Sequence, residues 1–329
     1  MTAADDKTAP HPLTAAASWV EEAPAKINLF LHVTGRRPDG YHLLQSFFVY
    51  LDLADRLTAK PAAPSSHDRL AVTGPTAAAL EEEPTADNLV LRALALLRQA
   101  GVDLPPLAIT LEKHIPVAAG LGGGSADAAA ALRLGQRILA ACHAQPLSAR
   151  ALTELAIALG ADVPPALASR PSWVEGIGER LTPLAIPSAW TDLRVLLINP
   201  NRPLATGSVF RRWAQEGGAF HRPLPRPPRH LFTSAQNFVS WLGSETTNDL
   251  EPAAIAIRPV VRTVLEALRS RPGCLLARMS GSGATCFGLF TDHEAAARAH
   301  RQLRSRHPGW WTALAQIRQS WQGDAAVGV

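Results

Sequence analysis

A chain of 329 residues, 47% hydrophobic and 18% charged, is long enough to bury a substantial core, and two medium domains are expected. No run approaches the roughly 18 consecutive apolar residues of a spanning helix, so a helical membrane protein is excluded. The net charge of +4 suits an anionic partner, but the basic residues are scattered apart from Arg211-Arg212 and the proline-rich RPLPRPPRH (222–230), without the aromatic interleaving of a nucleic-acid surface. A phosphorylated small molecule fits this charge better than DNA or RNA.

The first segment, MTAADDKTAPHPLTAAASWVEE (1–22), starts acidic and has no apolar core of signal-peptide length. It reads as a disordered extension, with the cytoplasm as the default location. INLFLHVTG (27–35) then alternates with period two, RRPDGYH turns, and SFFVYLDL (46–53) returns, which predicts a β-hairpin. On its first strand Lys26 and Asn28 share one face, and Ile27 and Leu29 take the other. A helix is expected at about 87–99, capped by Asp87 and ended by Gly101, followed by a strand, LAITLEKHI (107–115).

A glycine run leads into a second helix from about Ser125, as its cap, to Cys142. SARALTELAIALG (148–160) begins on an N-cap serine and stops at Gly160, and ADVPP turns after it, with Asp162 as a turn former. From about 170 the pattern changes to a loop-rich WVEGIGERLTPL, a strand LRVLLIN (193–199) and a Pro/Gly/Arg-rich stretch. A helix near 253–270, a glycine turn RMSGSGATC, a strand CFGLF and a helix near 293–305 follow. This predicts an α+β chain with domains at 23–170 and 171–329. The three cysteines, Cys142, Cys274 and Cys286, are odd in number and lie in apolar surroundings, so buried free thiols are expected.

The most informative stretch is PVAAGLGGGSADAAA (116–130). Its glycines leave backbone amides free to turn toward an anion, and the helix behind adds a positive dipole end, so it describes a phosphate cradle. Asp127, on the first helical turn, is a candidate to help hold a metal. A Walker A loop is excluded because no lysine precedes Ser125, and a dinucleotide fingerprint fits poorly because Pro116 separates the run from the strand. A tight turn that binds nothing is the plain alternative, at the conformational cost of three consecutive glycines.

PVAAGLGGGSADAA resembles the phosphate loop of the GHMP kinases. APAKINLFLHVTGRRPDGYHLLQSFF (23–48), DNLVLRALALL, ALGADVP, VEGIGE, NDLEP and MSGSGA follow the same order as in that family's branch acting on a cytidine diphosphate-linked methylerythritol, over roughly residues 23–291. The resemblance implies a two-domain fold, ribosomal protein S5 domain 2-like at the N-terminus and ferredoxin-like at the C-terminus. It further implies ATP and Mg²⁺ as cofactors, and phosphoryl transfer to an alcohol. Pro116, Val117, Ala118, Ala119, Gly120, Leu121, Gly122, Gly123, Gly124, Ser125 and Ala126 would wrap the ATP phosphates. Asn88 and Lys113 would lie by the adenosine and phosphates, and Ser280, Gly281, Ser282 and Gly283 would close over the site.

Asp162 matches the aspartate that approaches the acceptor hydroxyl, and Lys26 the lysine paired with it. Ser125 is the expected protein ligand for Mg²⁺. Asn28, Tyr41, His42, Thr206 and Phe210 match the acceptor pocket, with His42 on a cytosine edge and Tyr41 and Phe210 against its faces. The chain departs from the family in Pro165-Ala166-Leu167, where aromatic residues are common, in SRPSW (169–173), and in the insert 211–230. Another GHMP small-alcohol kinase, or a non-catalytic nucleotide-binding regulator on the same fold, is the alternative.

Overall fold

The computed structural model describes residues 17–63, 67–80, 87–186, 190, 192–228, 231 and 234–318. The expected hairpin is present and longer than its alternating core, with β1 at Trp19–Arg36 and β2 at His42–Pro61. Of the expected extension 1–22, residues 1–16 lie outside the described residues, whereas Trp19 to Glu22 are strand, paired to Ala59 through Arg56 of β2.

Strand β2 organises the first sheet. Its C-terminal half pairs with β4 (Leu107–Glu112), which in turn pairs in parallel with β3 (Arg69–Thr73), and its N-terminal half pairs with β5 (Ser172–Gly176). β6 (Arg180–Pro183) closes a second hairpin onto β5. The segment expected to be loop-rich is therefore a hairpin, and the first sheet extends past residue 170 to Pro183.

One face of this sheet is covered by α1 (Leu89–Gln99), α2 (Gly123–Ala141), α3 (Ala149–Leu159) and α4 (Val163–Ala168). α1 is capped by Asn88 rather than Asp87, since Asn88 Oδ1 accepts from the Val90 amide at 2.9 Å. Ser148 caps α3 as expected. α2 is buried almost all round, and its run Ala128 to Ala131 lets it lie close to β1 and α1, as small side chains permit. ADVPP turns at Ala161-Asp162, where the Val163 amide donates to the Gly160 carbonyl at 3.1 Å, and then passes directly into α4, because Pro164 sits in the first helical turn, where the missing N–H costs nothing.

The second sheet is antiparallel, in the order β10 (Trp311–Gln316), β7 (Arg194–Asn199), β9 (Cys286–Phe290), β8 (Leu276–Met279). Between the sheets lies a core of Ile27, Leu29, Phe47, Trp173, Trp190, Phe238 and Phe287. Each fully buried side chain of this kind contributes roughly 1.5–3 kcal/mol. On the second sheet pack α8 (Val260–Arg269) and α9 (His293–Arg306), while α5 (Thr206–Gln215) lies against α7 (Glu251–Ile257) and α7 against α8 in the same core. The single helix expected near 253–270 breaks at Arg258-Pro259, because proline offers no amide to continue α7.

Among elements that local patterning leaves unmarked, α6 (Ala235–Glu245) supplies Phe238 to the core, and β10 pairs with β7 along its whole length. The three cysteines are free, with Cys286 buried and the other two half-buried. Among the described residues no helix is long and apolar enough to cross a membrane.

Candidate active site

The glycine loop links β4 to α2 and is shaped by what crowds it. Gly122 caps α2 in the left-handed region at φ +69°, and a Cβ there would stand 2.9 Å from Lys26 Cγ. Ser125 is thus not the cap. It lies in the first turn, and with no side chain capping the helix the amides of that turn are open to a ligand.

Gly120, at φ +76°, fits against the second glycine turn. An added Cβ would stand 2.5 Å from the Ser280 carbonyl oxygen and 2.9 Å from that of Gly283. Ser280 Oγ donates to the Gly120 carbonyl at 2.9 Å and accepts from the Asn28 amide at 3.2 Å, and the Thr285 amide donates to the Ala119 carbonyl at 3.2 Å. Residues 116–126 and 280–283 are therefore one assembly. Pro116, Val117 and Ala118 also edge a cleft of about 360 Å³ shared with Thr76, Asn199, Arg202 and Trp311.

The Lys26 side chain runs under this assembly. Its ammonium donates to Asn28 Oδ1 at 2.8 Å, stands 3.8 Å from Asp162 Oδ2 and lies 4.4 Å from the centre of the Phe48 ring. Asn28 is fixed in turn, its Nδ2 donating to Ser46 Oγ at 3.0 Å, which donates to the Phe30 carbonyl. The expected shared face of Lys26 and Asn28 is therefore a direct contact. Asp162 occupies the cap position of α4 without a side-chain cap bond, and its carboxylate is half-exposed at 47%. Such a carboxylate is available to a ligand.

Lys113 is placed differently from the expectation. Its ammonium is 2% exposed, behind the loop, bonded to Asp55 and, at 2.6 Å, to Asp127 Oδ2. Burial alone would lower its pKa, but Asp127 and Asp55 outweigh this and raise it above the ordinary lysine value. Asp127, expected as a metal helper, is committed to this cluster. Burial pushes its carboxyl up to about 7, with Asp55 adding to the rise and Lys113 opposing it. Asp55 has no motif around it in LADRL, and nothing in its sequence context marks it. Asn88 caps α1 beside the loop, as the next residue, Leu89, comes 3.7 Å from where a Cβ on Gly124 would lie.

On the other side of the second glycine turn, Thr206 Oγ1 bonds Ser282 Oγ at 2.8 Å and lines a cleft of about 620 Å³ with Tyr41, His42 and Phe210. His42 and Phe210 stack directly, ring centres 4.9 Å apart at 16°, and Trp213 meets His42 edge-on at 5.4 Å. Nothing in the sequence context of Trp213 marks it for this cleft. Burial, reinforced by Arg36, lowers the His42 pKa, and its buried Nε2 has no partner. Tyr41 is 62% exposed at the rim. Arg36 and Arg211 also line this cleft, and neither pairs with a carboxylate among the described residues.

Among the described residues one further group of side chains, His32, His221 and Asp249, is compact enough to consider for a metal. The two rings stack at 4.1 Å and 11°, so their in-plane lone pairs do not converge on one point, and His32 Nε2 already accepts from the Thr247 amide. His221 Nδ1 pairs with Asp249 Oδ2 at 2.8 Å. This is a packed hydrogen-bonded group rather than a metal site.

Two family models match the chain, GHMP kinases N terminal domain over residues 88–170 and GHMP kinases C terminal over 232–309. A 4-diphosphocytidyl-2-C-methyl-D-erythritol kinase from Paracoccus denitrificans is 49% identical over 298 residues, covering 90% of this chain and 96% of that one. One from Cereibacter sphaeroides is 48% identical over 300 residues, covering 90% and 98%. A crystal structure of 4-(cytidine 5'-diphospho)-2C-methyl-D-erythritol kinase superposes with a TM-score of 0.70 at 34% identity, over 91% of this chain and 99% of that one. Homoserine kinase from Cytophaga hutchinsonii, at 18% identity and a TM-score of 0.65 over 94% and 97% of the two chains, shares the fold.

Proposed function

The chain belongs to the GHMP kinase family, and from that premise we propose that it transfers the γ-phosphoryl group of ATP to the 2-hydroxyl of 4-diphosphocytidyl-2-C-methyl-D-erythritol. The products are ADP and the 2-phosphate, in the non-mevalonate route to isoprenoid precursors. The observation that carries this reading is continuity. The aromatic cleft is bonded through Thr206 and Ser282 to the second glycine turn, which is bonded through Ser280 to Gly120 and Asn28, and Asn28 holds Lys26 near Asp162.

In this reading the cytosine packs in the cleft lined by Tyr41, His42 and Phe210, and the diphosphate meets Arg36 and Arg211. The open amides at the start of α2 and the loop 116–126 hold the ATP phosphates. Phosphoryl transfer is chiefly positioning and charge stabilisation, so the chain's task is to bring the hydroxyl in line and neutralise developing charge. Lys26, oriented by Asn28, supplies positive charge, and Asp162 accepts the hydroxyl proton.

Mg²⁺ would be held mainly by ATP oxygens, with Ser125 as the hard-oxygen side chain in the first turn of α2, and would supply charge neutralisation. Asp127 is not offered for it, being committed to Lys113. We place the division between the two domains after β6, between Pro183 and Arg194.

The test is ADP release by the purified chain with Mg-ATP and a panel of alcohols: the cytidylylated methylerythritol, its cytidine-free phosphate precursor, galactose, homoserine and mevalonate. Turnover confined to the first supports the reading. Turnover of another acceptor, or ATP binding without turnover of any, overturns it.

A further inference from the structure

β2 and β4 pair from Pro61 and Leu107 up to Arg56 and Glu112, and there the ladder stops. Beyond Glu112 the chain bends toward the glycine loop, and the amides of His114 and Ile115 have no strand to bond. One oxygen accepts both, Asp55 Oδ1, at 2.5 and 2.9 Å. Asp55 immediately precedes Arg56, so its side chain extends the ladder by the step that the backbone cannot make. Its second oxygen holds the Lys113 ammonium, and the same ammonium reaches Asp127 Oδ2 on α2. The upstream end of the loop and the start of its helix are thus fastened through one cation, with all three side chains at most 5% exposed.

With its ammonium taken up by Asp55 and Asp127, Lys113 brings no free positive charge to a loop built to receive anions. Its benefit to phosphate binding therefore has to be geometric. The lysine is also closed off, since both carboxylates hold it and it is 2% exposed. We propose that Asp55 is a positioning residue for the nucleotide, which through Lys113 and Asp127 sets the separation at which the amides of the loop converge on a di- or triphosphate.

The experiment compares ADP with adenosine binding by calorimetry, using the full chain and the variants Asp55→Asn, Asp127→Asn and Lys113→Met, with melting curves alongside. Asp55→Asn keeps the acceptor for the two amides and the shape of the side chain but removes the charge that anchors Lys113. The expected result is that all three variants weaken ADP by about tenfold or more and adenosine by less than about twofold, as losing a buried ion pair would do if it acted on the phosphate subsite alone.

Parallel loss of ADP and adenosine, or a lowered Tm with unchanged ADP affinity, would mean a purely structural cluster and overturn the proposal. Loss of ADP binding in Lys113→Met alone would also overturn it, by showing a lysine that contacts phosphate directly. Neither readout involves the acceptor, so the outcome is separate from the identity of the alcohol. If Asp55→Asn does not fold, Asp127→Asn carries the same comparison from the other end of the bridge.

Discussion

Lys26 Nζ donates to Asn28 Oδ1 at 2.8 Å and stands 3.8 Å from Asp162 Oδ2, so the ammonium is aimed by the asparagine and left near the aspartate without being locked to it. With Asp162 as the proposed proton acceptor, Asp162→Asn should lower kcat by ~10²–10⁴-fold and leave ATP affinity nearly unchanged. Lys26→Met should act similarly. The double variant should be little worse than the poorer single one, because groups acting as a unit are not additive. Steady-state kinetics with calorimetric ATP binding decide this, and near-normal turnover by a folded Asp162→Asn would remove the assignment.

The two glycine turns touch at Gly120, where both the φ of +76° and the backbone carbonyls of Ser280 and Gly283 exclude a side chain. Gly120→Ala should raise the KM for ATP by about tenfold and lower Tm by about 5 °C, since left-handed backbone and a main-chain clash are each costly. Gly101→Ala, also at positive φ but with open space around it, should lower Tm without moving the KM. Equal KM values in both variants would show that the contact between the turns does not serve the nucleotide.

Phe210 stacks on His42 in the proposed cytidine cleft. Removing the ring by Phe210→Ala should raise the KM for the acceptor by about tenfold, with kcat and the KM for ATP little changed, as loss of an aromatic stacking surface predicts. A variant with unaltered acceptor KM would make Phe210 a packing residue only.

His32 is 1% exposed, and burial lowers its pKa to about 4, with Asp249 opposing the fall and His221 and Arg278 adding to it. A histidine held neutral in the fold contributes stability that is complete above about 6.5, its unfolded value, and is lost as pH falls toward about 4. That loss amounts to about 3 kcal/mol. Unfolding midpoints between pH 7 and 4 should therefore fall more steeply for the wild type than for His32→Gln. Parallel curves would show that another group governs the acid limb.

Local punctuation made much of this fold legible. The RRPDGYH turn, the serine before α3 and the glycines at 120–124 and 280–283 each announce a backbone geometry that few other residues tolerate. What stayed hidden depends on partners distant in sequence. β10 becomes a strand because β7 offers an edge, and α5 carries Phe210 and Trp213 to His42 from within an arginine-rich stretch that reads as loop. The cap of α1 lies one residue past the expected Asp87, at Asn88, because two good caps stand side by side there. Lys113 shows the same limit at the site itself. A lysine before a phosphate loop suggests a phosphate contact, and only the burial of Asp55 and Asp127 around it reveals that it faces inward.

The hydroxyl of Ser280 joins the Asn28 amide to the Gly120 carbonyl, and the Arg318 amide bonds the Tyr50 carbonyl. A ribosome must therefore deliver almost the entire chain before the cradle around Lys26 has its last wall. Until then the face of β1 and β2 that meets Phe238 and Phe287 is uncovered, and synthesis at about 5–20 residues per second leaves it so for many seconds. Slow codons in the final third lengthen that interval, so they should reduce soluble yield more than the same codons placed near the start.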